Sequence, residues 1–174
     1  MAENDTRTPN CLILFEGIEL GSEVKGFEKT WGILYNYGFS ENRVVSGDVS
    51  GPLESRAEVR LSNIMVELKH GLQDPVFAMH LRNGEPFPSM QIVTLINAKG
   101  ANKVLSTITC KNVKIVGRDV KQVIKCDGQE VDNILRLQIT CDSMQEEFSK
   151  FGQDAGAQGK NAAGWNYRTA SANG

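Results

Sequence analysis

Hydrophobic and polar positions alternate with a period of two along most of this chain, and that period predicts strands. The clearest case is Trp31–Ser40, WGILYNYGFS, where Trp31, Ile33, Tyr35, Tyr37 and Phe39 fall on every second position. Between them lie Gly32, Leu34, Asn36, Gly38 and Ser40, four of them small or polar. This spacing places all five large side chains on one buried face, as part of the core. On that reading, Tyr35→Ala or Tyr37→Ala costs about 3–5 kcal/mol, as for large aromatic truncations in cores.

Other segments read in the same way. Cys11–Ile18, CLILFEGI, is a short strand, followed by a polar, Gly-bearing loop to about Thr30. Residues 42–56, NRVVSGDVSGPLESR, form a long extended loop, a length that is usually functional. Ala57–Lys69 alternates Val59 and Leu61, then changes parity to Ile64, Val66 and Leu68, which predicts a bulge or bend near Ser62–Asn63. MQIVTLIN runs to Asn97, AKGAN turns, and 103–119 with 133–151 read as a long hairpin. If Asp119 faces Asp132 in that hairpin, Cys110 lies opposite Cys141 as a pair of buried thiols, with a disulfide as the alternative. One helix is signalled, about 75–83, by Asp74 as N-cap, Pro75 at the first turn and Gly84 as a stop. Trp165 and Tyr167 are spaced as in a closing strand. The fold class is mainly β, with about seven strands and one short helix. Residues 1–10 read as a disordered lead-in, 11–170 as a single domain and 171–174 as a flexible tail.

Composition narrows the classes. The chain has 174 residues, 40% hydrophobic and 23% charged, with a net charge of -2. That suits one domain with a proper core and offers no bulk electrostatic capture of nucleic acid. Basic residues at Lys103, Lys111, Lys114, Arg118, Lys121 and Lys125 have no aromatics among them, so no nucleic-acid surface is expected. No apolar run reaches the roughly 20 residues of a membrane helix, so no membrane insertion is expected, and MAENDTRTPN has no signal-peptide core.

Candidate chemistry is thin. Cys11, Cys110, Cys126 and Cys141 contain no CxxC pair, and His70 and His80 have no cysteine at ligand spacing. His80 reads as a helix-edge residue and His70 as a turn residue. Glu146 and Glu147 point to opposite faces of a strand and make no carboxylate pair. GDVSGP (47–52) and GAQGKNAAG (156–164) depart from GxxxxGK[ST] and read as loops. No catalytic, cofactor or metal residues are expected, and the chain is not read as an enzyme.

The order of elements carries a resemblance. A first strand ends in Gly17-Ile18, LYNYGFS stands where a Ser-Trp-Ser-Trp-Gly-like run is usual, and a long loop leads to a strand ending ELK (67–69). QDPVFAMHLRNG (73–84) matches an acidic, Pro-started short helix, and GWNYRT (164–169) a closing Gly-Trp strand, with Asn166 where an acidic residue is common. Together these resemble the haemolysin-coregulated protein (Hcp) family, the inner-tube subunits of type VI secretion systems. The resemblance implies a two-sheet β-barrel with one side helix, assembled into homohexameric rings that stack into a tube. It implies a contractile sheath, spike and baseplate as partners, small effector proteins in the lumen, and passage from the bacterial cytoplasm out through the apparatus. It also implies that the long loop touches a neighbouring subunit or ring, through Val44, Val45, Asp48, Pro52, Leu53, Glu54 and Arg56. Two other readings share the β pattern: a small-ligand-binding β-barrel with Trp31–Phe39 lining its cavity, and a phage-type tail tube protein.

Overall fold

The computed structural model describes residues 11–44, 58–98, 101–124, 131–151, 156–169 and 171–173. The chain forms β1 (Cys11–Phe15), β2 (Gly32–Gly38), β3 (Glu41–Val44), β4 (Glu58–Leu61), β5 (Ile64–Lys69) and helix α1 (Asp74–Asn83). It continues through β6 (Phe87–Ala98), β7 (Ala101–Ile124), β8 (Val131–Thr140), β9 (Ser143–Phe151), β10 (Ala157–Asn166) and β11 (Ser171–Asn173). Six strands, in the order β1-β2-β5-β8-β7-β6, close into a barrel, so none of these six lacks a ladder on either side. Strands β9, β10 and β11 extend one side from β7, and β3 with β4 forms a separate two-stranded ribbon. The mainly β barrel with a side helix matches the fold class read from the sequence.

β7 makes this arrangement possible. Its first half pairs with β6 and β9, and its second half pairs with β8. The change falls at Asn112, which adopts a left-handed φ of 51°, a conformation asparagine tolerates better than most residues. The Asn112 side-chain amide donates to the Asp142 carboxylate, and the Asp142 N–H donates to the Lys111 carbonyl at 3.1 Å. These bonds hold the β8–β9 corner against the corner of β7.

The barrel interior is filled by side chains. Ile13, Phe15, Val66, Met90, Leu137 and Ile139 are fully enclosed, and Phe15 stacks its ring edges against Phe77 of α1 at 5.1 Å and Phe87 at 5.2 Å. A second cluster lies on the outer side of β1 and β6: Leu12, Val93 and Leu95, with Val24, Phe27, Trp31 and Ile33 against them. The segment before β2, read as a polar loop, folds over this face. Backbone bonds Gly21 N–H to Lys29 O (2.6 Å), Lys29 N–H to Ser22 O (3.0 Å) and Ser22 N–H to Trp31 O (2.7 Å) hold it in place.

Strand β2 corrects the single aromatic face. Leu12 pairs with Ile33, which sends Ile33 and Trp31 to the outer cluster and the intervening Leu34 into the barrel. The register against β5 then slips between Leu34 and Asn36. Beyond the slip Tyr37 pairs with Val66, and Tyr37 and Phe39 pack half-buried against the barrel core. Tyr35 sits at the slip and is 46% exposed. An extra residue on one strand reverses which face its successors occupy, so Trp31 and Ile33 join one cluster, Tyr37 and Phe39 the other, and Tyr35 neither.

Further differences concern connectivity. The parity change at Ser62–Asn63 is not a bulge within one strand: β4 ends at Leu61 in the ribbon, and β5 starts at Ile64 in the barrel. The loop expected over 42–56 begins as strand, since Asn42, Arg43 and Val44 pair with Arg60, Val59 and Glu58. The second arm of the expected long hairpin, 133–151, is two strands, β8 and β9, broken at Cys141–Asp142; Asp119 of β7 pairs with Arg136 rather than Asp132, and Cys110 with Met90 and Met144. The stretch 156–164, read as a loop, lies largely in β10, and Ser171–Asn173, read as tail, pairs with it as β11. The lead-in 1–10 lies outside the described residues.

Candidate assembly surfaces

Helix α1 begins one residue earlier than expected. Gln73 occupies the N-cap without a side-chain cap, and Asp74 stands inside the first turn beside Pro75. Gly84 closes the helix at φ 69°, with its N–H on the His80 carbonyl. Asp74 is released from capping because it has other partners. Its buried carboxylate accepts from Arg118 Nε of β7 at 2.6 Å, from a second Arg118 nitrogen and from His70 Nε2 at 2.8 Å. The Arg118 guanidinium, working against the effect of burial and assisted by His70, holds the Asp74 carboxyl below its usual range. His80 Nδ1 contacts the Glu85 carbonyl at 2.9 Å, and its ring stacks on Phe87. Both histidines are thereby engaged in holding α1 to the barrel. Among the described residues no group of three or more His, Cys, Asp or Glu side chains converges to hold a metal ion. No helix among them is long and apolar enough to cross a membrane.

What the described surface offers is strand edges and a groove. The β3–β4 ribbon pairs only with itself and is tied at its base, where Ser62 N–H donates to Ser40 O and Ser40 N–H to Ser62 Oγ, each at 2.8 Å. Glu41, at the start of the ribbon, accepts from the Tyr167 hydroxyl just past β10. Burial, followed by this carboxylate, pushes the Tyr167 phenol well above its ordinary range. Of the seven residues expected as subunit contacts, Val44 pairs with Glu58 at the ribbon's outer end. Val45, Asp48, Pro52, Leu53, Glu54 and Arg56 lie outside the described residues.

Beside the ribbon base runs a groove of about 390 Å³, walled by Tyr37 and Phe39, floored by Ile108, and bounded by Glu146, Phe148 and Ala163. Sequence reading missed it, because its walls come from β2, β7, β9 and β10. Register explains the shared face: Ile108 pairs with Glu146, which pairs with Ala163. Glu147, on the opposite face, forms an ion pair with Lys160 at 2.5 Å. Partial burial, then the nearby Glu41 carboxylate, push the Glu146 carboxyl upward. Phe148 is 55% exposed, large for a phenylalanine on an ordered strand. The Trp165 indole N–H, on the adjacent part of β10, is buried and has no acceptor among the described residues. The groove thus presents exposed aromatic area, the kind of side chain enriched where proteins meet, beside the Glu146 carboxylate.

No family model matches the chain, and no curated protein matches it. Its fold does have counterparts among solved structures. A type six secretion system protein superposes with a TM-score of 0.80 at 13% identity, over 94% of this chain and 98% of its own. Hcp1 from Salmonella typhimurium superposes with a TM-score of 0.71 at 11% identity, over 93% of this chain and 97% of its own. A type VI secretion system effector from Yersinia pestis gives a TM-score of 0.62 at 13% identity, over 90% and 98%. The chain therefore has the fold of these type VI secretion proteins over 90–94% of its length, at low sequence identity.

Proposed function

We propose that this chain is a tube subunit of a type VI secretion system, with a mechanical role and no catalytic one. The observation that carries the reading is the fold likeness to a type six secretion system protein over 94% of the chain and 98% of that protein. Six copies close into a ring, and rings stack into a tube that a contractile sheath drives outward from the baseplate behind a spike. Small effector proteins ride in the lumen. The protein is made in the bacterial cytoplasm and leaves through the apparatus. Two surfaces supply contacts between copies: the stretch 42–56, with Val44, Val45, Asp48, Pro52, Leu53, Glu54 and Arg56, and the aromatic groove at the ribbon's base.

Sequence-distant strands that meet only through a closed ladder suit this work, because a ring subunit must hold its shape while its edges and loops engage neighbours. The ligand-binding reading needs an interior chamber, and here the barrel centre is occupied by Phe15, Met90, Leu137 and Ile139. Negative-stain microscopy with native mass spectrometry is the test. Rings of six chains are expected at high protein concentration, and a monodisperse monomer under those conditions overturns the reading.

A further inference from the structure

One apolar side chain stands almost wholly in water in the single chain. Leu72, between β5 and α1, is 93% exposed, more than any other large hydrophobic among the described residues. The corner that carries it, Lys69–Asp74, is nonetheless fixed. The His70 N–H donates to the Asn133 carbonyl at 2.8 Å, and the Asp74 N–H to the Gly71 carbonyl at 3.1 Å. His70 Nε2 contacts the Asp74 carboxylate, which Arg118 also holds. A leucine presented on a bonded corner is a pre-set knob, with little backbone freedom left to lose when it is covered.

The charges around the knob are left over too. Glu67 is taken by Arg136, and Asp74 by Arg118 and His70. The exposed Lys69 ammonium has no carboxylate partner among the described residues. The aromatic groove has the opposite deficit. Glu147 pairs with Lys160, but the Glu146 carboxylate makes no ion pair or hydrogen bond among the described residues. A smaller depression of about 110 Å³ continues past Glu146 and Ala163 to Glu41, Trp165 and Tyr167, which adds a second carboxylate. One region thus shows an apolar knob beside an unpaired cation, the other an apolar floor beside an unpaired anion.

The two regions lie at opposite ends of β2. Leu72 lines a cleft with Gly32 and Ile33 at the start of the strand, whereas Tyr37 near its end and Phe39 just beyond wall the groove. The four-residue step from Ile33 to Tyr37 covers about 13 Å, at about 3.3 Å per residue. No residue of the corner lines the groove of its own chain, and the corner's backbone bonds hold it at its own end.

We infer that the Lys69–Leu72 corner of one copy seats in the aromatic groove of the next, with Leu72 on Ile108 beside Phe148 and Lys69 Nζ against the Glu146 carboxylate. The inference rests on the tube-subunit reading and names which surface of the neighbouring copy fills the groove. Apolar contact supplies the affinity, and the ion pair selects the register. Partial burial, then Glu41, raise the Glu146 carboxyl in the single chain, and an arriving ammonium opposes that rise. Knob and groove are different surfaces, so each copy engages two neighbours head to tail.

The test mixes isotope-labelled and unlabelled full chains at high concentration, treats them with a zero-length carbodiimide and reads linked peptides by mass spectrometry. A Lys69–Glu146 amide joining a labelled to an unlabelled peptide is expected. Native mass spectrometry then compares variants. Leu72→Ser should weaken ring assembly by about tenfold or more, with an unchanged urea midpoint because the side chain is already in water. Lys69→Glu and Glu146→Lys should each weaken it, and the double variant should recover. An equimolar mixture of Leu72→Ser and Phe148→Ser chains, one without the knob and one without the groove wall, should give pairs and no rings. Rings that form from Leu72→Ser as readily as from the unmutated chain, or Glu146 linked only to other lysines, overturn the proposal and leave the tube reading standing. So do rings that Phe148→Ser disrupts and Leu72→Ser does not, which hand the groove to another segment. A chain that stays monomeric at every concentration overturns both.

Discussion

Phe15 and Phe148 are the same residue on strands of the same molecule, and they live in opposite conditions. Phe15 is sealed between Phe77 and Phe87 inside a barrel whose ladders close on themselves. Phe148 stands 55% exposed at the rim of a groove, on a strand that only two neighbours and an open extension support. Alternation along the chain tells which residues share a face. Whether that face is covered depends on strands far away in sequence. The inward face of the barrel strands meets other parts of the chain, whereas Phe148 on β9 stays open among the described residues.

That contrast can be broken by measurement. Phe15→Ala should cost about 3–5 kcal/mol in urea unfolding, from lost transfer energy plus the cavity left between two rings. Asp74→Ala should follow at about 2 kcal/mol, between the limits for exposed and buried pairs, because its carboxylate is enclosed while Arg118 and His70 reach solvent. The same pair fixes an acid limit. Since the folded carboxyl is held below its ordinary value of 3.8, its stabilisation is complete above that pH and disappears as pH falls through the lowered value. An acid titration of unfolding should show this leg in the unmutated chain and lose it in Asp74→Asn.

A finer version compares two tyrosines on one strand. Tyr37→Ala should lose about 1–2 kcal/mol, in line with half-burial, and Tyr35→Ala less than about 1 kcal/mol. Equal losses of 3–5 kcal/mol for both would restore the single aromatic face that alternation alone suggests. The smallest expected effect on the monomer is Phe148→Ser, within about 0.5 kcal/mol. Its consequence should be in assembly: ring formation seen by native mass spectrometry should weaken. If Phe148→Ser destabilises the monomer as much as Phe15→Ala does, the difference between the two regions is not one of cover.

Much of the fold was legible from local spacing. The first strand, the helix with Pro75 and Gly84, the change at Ser62–Asn63 and the strand through Asn97 all rest on signals within about a dozen residues. What escaped depends on pairing. The slip at Tyr35 is visible only against Glu67 and Leu68 of β5. The β7–β8 register differs from the expected one because β7 continues to Ile124 before turning back, which the apolar pattern does not mark. The β10 strand is hidden by its own composition: AQGKNAAG lacks β-branched residues and is held by its ladder to β9 rather than by side-chain preference. Cys110 and Cys141 do share the barrel core, but not as cross-strand partners: Cys110 pairs with Met90 and Met144, and Cys141 stands at the β8–β9 corner. The groove was out of reach altogether, since it brings β2 and β7 against the β9–β10 pair from distant parts of the chain.

One element has a mechanical meaning. β7 is a single unbroken span of 24 residues that belongs first to one wall of the barrel and then to the other. No bending axis can pass between those walls without cutting across its backbone. A push delivered to β9 would enter β7 lengthwise, as shear across many hydrogen bonds at once rather than as peeling of one bond after another. From there it would divide between β6 and β8. The barrel should therefore respond to load as one body, with any yielding beginning in the outlying strands.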